Sequence, residues 1–331
     1  MTTQHAVTIK NHQLIDSDIA IAQPTGHDVL VKVQAAGLNP VDLKRLEDID
    51  DNKDNAKILG YDAVGKVVAT GNAATKFKEG DIIYYAGSII RDGSYQEFQL
   101  VDERIAALKP ANLSLEEAAA IPLVSLTAFE LMFERMHLVA EPNGNAGQSL
   151  LVINGAGGVG SMLIPLAKWA GLEVTATASP RKFDYLRQIG VDHPIDYRSD
   201  SDEGLRQLPA NSINNIVALY NIAPYWDEVA RLVAPLGHVG TIVELDSNLA
   251  ISDIKNKAVS FDWEFMFTKS SYGVDLSSQG NILELIGDLM GENQLQPQKI
   301  EVFNGLSAQT LTTAFEKLRR GHTTGKLVIK Y

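Results

Sequence analysis

The first hundred residues alternate. Val29 to Val33 reads VLVKV, with an apolar side chain at every second position, and Ala63 to Thr70, Asp81 to Tyr85 and Ser94 to Val101 behave alike. A period of two predicts strands with one buried face. Gly71-Asn72 and Glu79-Gly80-Asp81 place turn residues between these runs. A mostly antiparallel β domain is therefore expected up to about residue 102.

The texture then changes. Ser114 and Glu117 form a capping-box pattern ahead of AAAIP, which predicts a helix that ends at Pro122 and a second from about Ser125 to His137. Glu141 to Gln148 is Gly/Asn-rich and reads as a loop. From Leu150 the pattern is strand, turn, helix, repeated. LLVIN and EVTATA are strands, each followed by a helical stretch that closes at a glycine, Gly171 and Gly190. NNIVALY and HVGTIV are further apolar runs, separated by the helical YWDEVARLV. Alternating strands and helices imply parallel βαβ units and a doubly wound sheet. After Gln294 come one more helix, Ala308 to Arg320, and a last strand, KLVIK.

Composition narrows the classes. A chain of 331 residues suggests about two domains. The formal net charge of -12 repels phosphate backbones and anionic lipid, so neither nucleic acid nor a membrane is an expected partner. There is no cysteine, which removes disulfides, thiolate nucleophiles and thiolate metal sites, and fits a reducing, cytoplasmic location. No apolar stretch reaches the ~18 residues of a membrane span, and MTTQHAVTIK lacks the pattern of a signal peptide.

Gly155-Ala156-Gly157-Gly158-Val159-Gly160 is a G-x-G-x-x-G run. It follows the strand LLVIN and opens a helical stretch, the context in which the run binds a dinucleotide. One glycine makes the tight turn, the next lets the backbone approach the pyrophosphate, and the last lets helix and strand pack closely. The helix N-terminus then attracts the phosphates. Pro165 falls inside that helix and is expected to kink it or cost about 3 kcal/mol. An acidic residue about 20 positions on usually bonds the ribose 2′-hydroxyl of NAD. Here the second strand ends in TATAS followed by Pro180-Arg181-Lys182. Ser179, Arg181 and Lys182 suit a 2′-phosphate, so NADPH is the expected cofactor. The alternative is a solvated helix start, although cations there oppose the helix dipole.

Gly37-Leu38-Asn39-Pro40-Val41-Asp42, Gly60-Tyr61-Asp62-Ala63-Val64-Gly65, Leu126-Thr127-Ala128 and GAGGVG occur in that order. Together they resemble the medium-chain dehydrogenase/reductase superfamily, and more closely its quinone oxidoreductase branch. YYAGSI, QLVDERI and WEFMFTKS resemble a bacterial subgroup labelled zinc-binding alcohol dehydrogenase. The resemblance spans essentially the whole chain. It implies an α/β protein with two parts. Residues 1–124 and 295–331 would form a GroES-like, mostly antiparallel β catalytic domain, and 125–294 a Rossmann NADPH-binding domain, with the active site in the cleft. It also implies a homodimer that pairs Rossmann edge strands.

Zinc-dependent relatives carry a Cys near the Asn39 position, a His-Glu pair at Tyr61-Asp62 and a four-Cys lobe. This chain has none of these, and its seven histidines show no close ligand spacing. No zinc site is therefore expected. Hydride reduction of a simple ketone needs an electrophile for the developing charge, commonly a metal. A quinone or an enone spreads that charge itself, so a small conjugated carbonyl compound is the expected substrate.

By the same resemblance Asn39 and Asp42 lie beside substrate and nicotinamide, Asn39 as a hydrogen-bond partner of the acceptor oxygen, and Tyr61 is a candidate proton donor or aromatic wall. Each has a plainer alternative: a turn Asn before Pro40, a solvated loop acid, and simple packing. Thr127 matches a contact to the nicotinamide ribose or amide, or is a helix hydroxyl bonded to its own backbone. Tyr197 matches a residue near the 2′-phosphate, or is a strand aromatic facing the core. Tyr220-Asn221 departs from an Asp-containing loop of many relatives. Gly321 to Lys326, GHTTGK, is one residue short of a phosphate-binding loop, and Leu327 replaces its Ser or Thr. Two further functions stay open: a metal-assisted alcohol dehydrogenase, and a non-catalytic NADPH-binding sensor or structural protein.

Overall fold

A computed structural model describes residues 2–49, 58–198, 204–321 and 325–331. Of the run Gly321 to Lys326, residues 322–324 lie outside that description. The chain forms two compact units, Met1–Leu126 with Met266–Tyr331, and Thr127–Phe265.

The first unit is built on a seven-stranded sheet. Its strands run in the order Ile300–Asn304, Lys326–Lys330, Asp28–Gly37, Asp62–Thr70, Ile82–Tyr85, Ala106–Leu108, with Phe98–Asp102 also paired to Asp28–Gly37. All pairings are antiparallel except that of the first two strands. The alternation in VLVKV has the expected result: Val29, Val31 and Val33 are buried together with Ala63, Val67, Ile83 and Val101. A separate hairpin, Thr3–Lys10 and Gln13–Ala20, turns on Asn11 and His12, both at positive φ, the backbone a two-residue hairpin turn demands. Ser94 to Val101 gives a shorter strand than its pattern suggests, Phe98–Asp102, because Ser94 and Tyr95 donate their N–H groups to Gly60 and Leu59 instead.

The sequence pattern groups residues 266–294 with the second domain. In the structure they pack in the first unit. Helix Leu276–Gly291 buries Ile282, Leu283, Ile286, Leu289 and Met290, one apolar stripe of a 3.6-residue period. It is tied down by Tyr84 Oη donating to Leu283 O (2.5 Å) and Asn112 Nδ2 donating to Met290 O (3.0 Å).

The second unit is a parallel sheet of six strands, in the order His193–Asp196, Glu173–Ala178, Ser149–Ile153, Ile213–Ala218, Val233–Thr241, Ser260–Trp263. The chain leaves the central strand Ser149–Ile153 to build first one side and then the other, which makes its C-terminal end the topological switch point. Pro122 opens a helix, Pro122–Phe129, rather than only ending one; a proline is well placed at a helix start, where its missing N–H would have no partner. The helical path continues as a π-helix, Glu130–Arg135. Helix Gly160–Trp169 runs on through Pro165 for four more residues.

The capping box at Ser114 is formed: its Oγ accepts from Glu117 N at 3.2 Å, and Glu117 Oε2 accepts from Ser114 N at 2.9 Å. Ser114→Ala is expected to cost about 1 kcal/mol, read from urea unfolding; an unchanged midpoint would show that the cap adds nothing.

Candidate functional site

At the switch point Asn154 adopts φ +64°, and the chain turns from strand Ser149–Ile153 into helix Gly160–Trp169. The neighbouring strand clamps the turn: Thr177 Oγ1 accepts from Asn154 N at 2.9 Å and Thr177 O from Gly155 N at 3.0 Å. The glycines differ in the space around them. A Cβ on Gly160 would stand 2.0 Å from Gly155 O, whereas one on Gly157 would meet only Asn154 O, at 3.9 Å. Gly155 is hemmed in less severely, with Ala176 Cβ at 2.9 Å from any Cβ added there. Gly158 and Val159 complete the turn into the helix, where Ser161 N and Met162 N donate back to Gly157 O and Val159 O at 2.9 and 3.0 Å.

Two residues beyond Thr177 the second strand gives way to Ser179 and a short 3-10 turn, Pro180–Lys182. Arg181 is exposed and Lys182 half-buried. Burial, and then the charge of Arg181, holds the Lys182 ammonium below its ordinary pKa. The strand end, Ala178 with Ser179 after it, carries no acid; Asp196, at the end of the neighbouring strand, pairs in register with Ala178 and is held by Arg198 at 3.2 Å, and the exposed Asp184 pairs with Arg187 at 3.1 Å. Tyr197, after the third strand, is exposed rather than facing the core, with the Arg198 guanidinium 5.7 Å from its ring centre. Thr127 is buried in helix Pro122–Phe129.

Asn39, Asp42 and Tyr61 belong to the first unit, and all three are buried. Tyr61 packs edge-on against Phe267, ring centres 4.8 Å apart. Asn39 is the N-cap of helix Pro40–Asp48, with extended backbone. Asp42 Oδ2 accepts from Asn39 N at 2.7 Å and from Tyr95 Oη at 3.2 Å, while its Oδ1 has no partner. Asp42 is thus no solvated loop acid. Burial is the main reason that its pKa is pushed up to about 7, against the lowering effects of the Asn39 N–H and the Lys326 charge.

Two residues at this centre escape a sequence reading. Asp62 Oδ2 accepts from Asn39 Nδ2 at 2.8 Å and from Lys326 Nζ at 2.9 Å, and its Oδ1 accepts from Leu123 N at 2.6 Å. Lys326 Nζ also donates to Asn39 Oδ1 at 2.5 Å. The sequence signal was a charge, Asp62 or Lys326, as the first residue of each of two mostly apolar strands, DAVGKVV and KLVIK. The second unit hides another acid: Glu264 is buried near Glu130, and burial followed by the Glu130 charge pushes its pKa up to about 9.

An antiparallel β unit with a parallel six-stranded unit that carries a glycine turn at its switch point defines the class of nicotinamide-dependent dehydrogenases and reductases with GroES-like and Rossmann parts. The comparisons give the family. Residues 25–111 match the alcohol dehydrogenase GroES-like domain and residues 189–329 the zinc-binding dehydrogenase model. A zinc-type alcohol dehydrogenase-like protein of Staphylococcus epidermidis is 36% identical over 312 residues, covering 93% of this chain and 92% of its own length. The chloroplastic NADPH-dependent alkenal/one oxidoreductase of Arabidopsis thaliana is 30% identical, covering 95% of this chain and 75% of its own. The crystal structure of a putative zinc-dependent alcohol dehydrogenase from Rhizobium etli superposes with a TM-score of 0.92 at 34% identity, covering 100% and 99%. The chain belongs to the medium-chain dehydrogenase/reductase superfamily. It is an oxidoreductase of a fold that uses a nicotinamide cofactor.

Several of these names mention zinc, and the donor set here does not fit it. Asn39, Tyr61 and Asp62 offer no thiolate or imidazole, and the Lys326 ammonium already lies against the Asp62 carboxylate. Among the described residues no three His, Asp or Glu side chains converge as a metal site would require. No helix among the described residues is long and apolar enough to cross a membrane.

Proposed function

We propose that this protein is an NADPH-dependent reductase of quinones or α,β-unsaturated carbonyl compounds that works without a metal. The observation that carries this reading is the cationic strand end, Ser179 to Lys182, beside a glycine turn with open space at Gly157. The Arabidopsis relative, named for NADPH and for alkenals and enones, supports both halves of it.

A bound NADPH supplies hydride from its nicotinamide ring. Every other part of the task falls to the chain. The turn Gly155 to Gly160 and the helix start behind it hold the diphosphate. Ser179, Arg181 and Lys182, with Tyr197 just past the end of the neighbouring strand, hold the 2′-phosphate. Thr127 contacts the nicotinamide ribose or amide. Asn39 donates a hydrogen bond to the acceptor oxygen, Tyr61 lines the substrate wall, and Asp42 fixes the loop that carries Asn39. A conjugated acceptor delocalises the charge that arrives with hydride, so one neutral donor suffices where a simple ketone would need a stronger electrophile. Homodimer formation through the edge strand Ser260–Trp263, and a cytoplasmic location, complete the reading.

The test is an activity matrix of NADPH and NADH against a panel of quinones, enones and simple ketones, run on metal-stripped protein. Turnover is expected with NADPH and conjugated acceptors. Arg181→Ala is expected to weaken NADPH use by about 1.5–3 kcal/mol, one charge-assisted contact, and to leave NADH unchanged. Equal losses with both cofactors would remove the phosphate role. Activity that returns only with stoichiometric zinc would favour the alcohol dehydrogenase, and tight NADPH binding without turnover the sensor.

A further inference from the structure

We propose that Lys326 and Asp62 are positioning residues for Asn39, locking its carboxamide so that it presents an N–H, and never its oxygen, to a ligand. This rests on the role given to Asn39 above.

The lock follows from donor and acceptor chemistry. An ammonium can only donate and a carboxylate can only accept. Lys326 Nζ therefore selects Asn39 Oδ1, and Asp62 Oδ2 selects Nδ2. Turning the carboxamide over would set N–H against ammonium and oxygen against carboxylate, two repulsive contacts in a site where Lys326 and Asp62 are both buried. One amide N–H answers Asp62, which leaves the second for a ligand. The Lys326 charge also draws electron density from the carboxamide through its oxygen, which makes the remaining N–H a better donor.

The backbone delivers these groups together. Gly37, at the end of the central strand, pairs with Asp62 on one side and with Val328 on the other. Leu38 N donates to Leu327 O at 2.9 Å, so Asn39 emerges beside Lys326. Gly325, at φ +80°, lets the chain pass so close to Lys299 that a Cβ would stand 1.9 Å from Lys299 O. Three segments far apart in sequence are thus fixed before any ligand arrives.

Lys326→Met with Asp62→Asn removes both charges and leaves neither orphaned. It is compared with Lys326→Gln, which keeps N–H donors at the ammonium's place, and with Asn39→Ala alone and combined with the double change. The readouts are kcat and KM across the enone panel, and the side-chain amide signals of Asn39 in protein labelled with 15N-asparagine. The double variant is expected to lower kcat about tenfold or more with little change in KM for NADPH, and the same change in the Asn39→Ala background to cost less than about twofold. Lys326→Gln should keep kcat within about threefold of the parent. The Asn39 amide should give one slowly exchanging pair of signals in the parent and in Lys326→Gln, and lose that protection in the double variant. Equal losses with and without Asn39, or an amide signal indifferent to Lys326, would overturn the proposal. If Asn39→Ala alone keeps full activity, the substrate-facing role of Asn39 falls, and the lock is then decided by the amide signals.

Discussion

Gly160→Ala is expected to cost about 3 kcal/mol or more of folding stability and with it most of the cofactor affinity. The added methyl would overlap Gly155 O at 2.0 Å and Gly155 C at 2.6 Å. Both are backbone atoms, and Gly155 is itself pinned by Thr177 O. No side chain can swing away, so either the helix start or the turn has to shift. Gly157→Ala is the matched control. Its methyl enters open space, so the fold should melt within a few degrees of the parent, while NADPH affinity falls because the methyl occupies room that the diphosphate needs. Thermal unfolding and fluorescence titration with NADPH separate the two. If Gly157→Ala bound NADPH as tightly as the parent, the turn would not be where the diphosphate lies. If Gly160→Ala melted unchanged, close helix–strand packing would not be what this glycine serves.

The second large effect concerns pH. An unfolded Asp titrates near 4, and burial pushes Asp42 in the folded protein up to about 7. The folded state then binds a proton more tightly than the unfolded one. Stability from this group is full below pH 4 and falls as pH rises toward 7, by roughly 2–4 kcal/mol in all. Asp42→Asn keeps an oxygen to accept from Asn39 N and Tyr95 Oη but does not titrate. Its stability should therefore be flatter than the parent's between pH 4 and 8, measured by urea unfolding at each pH. The slope is the diagnostic, because the new amide N–H replaces an oxygen that has no partner. Glu264, pushed up to about 9, slopes the same way in both proteins and cancels in the comparison. Parallel curves for parent and variant would mean that Asp42 is ionised in the fold at neutral pH.

The helix Ala308–Arg320 was legible to the residue, since Ser307 caps it, Leu311, Ala314 and Phe315 form its buried stripe, and Gly321 closes it. The glycine turn was equally plain, because strand, turn and helix are contiguous. What sequence patterns could not supply was partnership across the chain. Helix Leu276–Gly291 shows its stripe but not which sheet the stripe meets, and order along the chain assigns it to the wrong neighbour. Asp62 and Lys326 are 264 positions apart; read singly, one is a replaced metal ligand and the other the end of a failed phosphate loop. Asn39 and Asp42 were found by resemblance, yet their burial and their bonds to each other needed coordinates.

Strand Lys326–Lys330 lies beside Asp28–Gly37 in the middle of the first sheet. The second unit, by contrast, is one uninterrupted stretch, Thr127–Phe265. During synthesis that stretch can fold as soon as it clears the ribosome, while the segments that precede it wait for partners not yet made. The nascent chain therefore carries an unpaired strand edge through most of translation, a stage at which aggregation competes with folding. A stop codon before residue 326 would leave the second unit whole and the first with no inner strand to complete it.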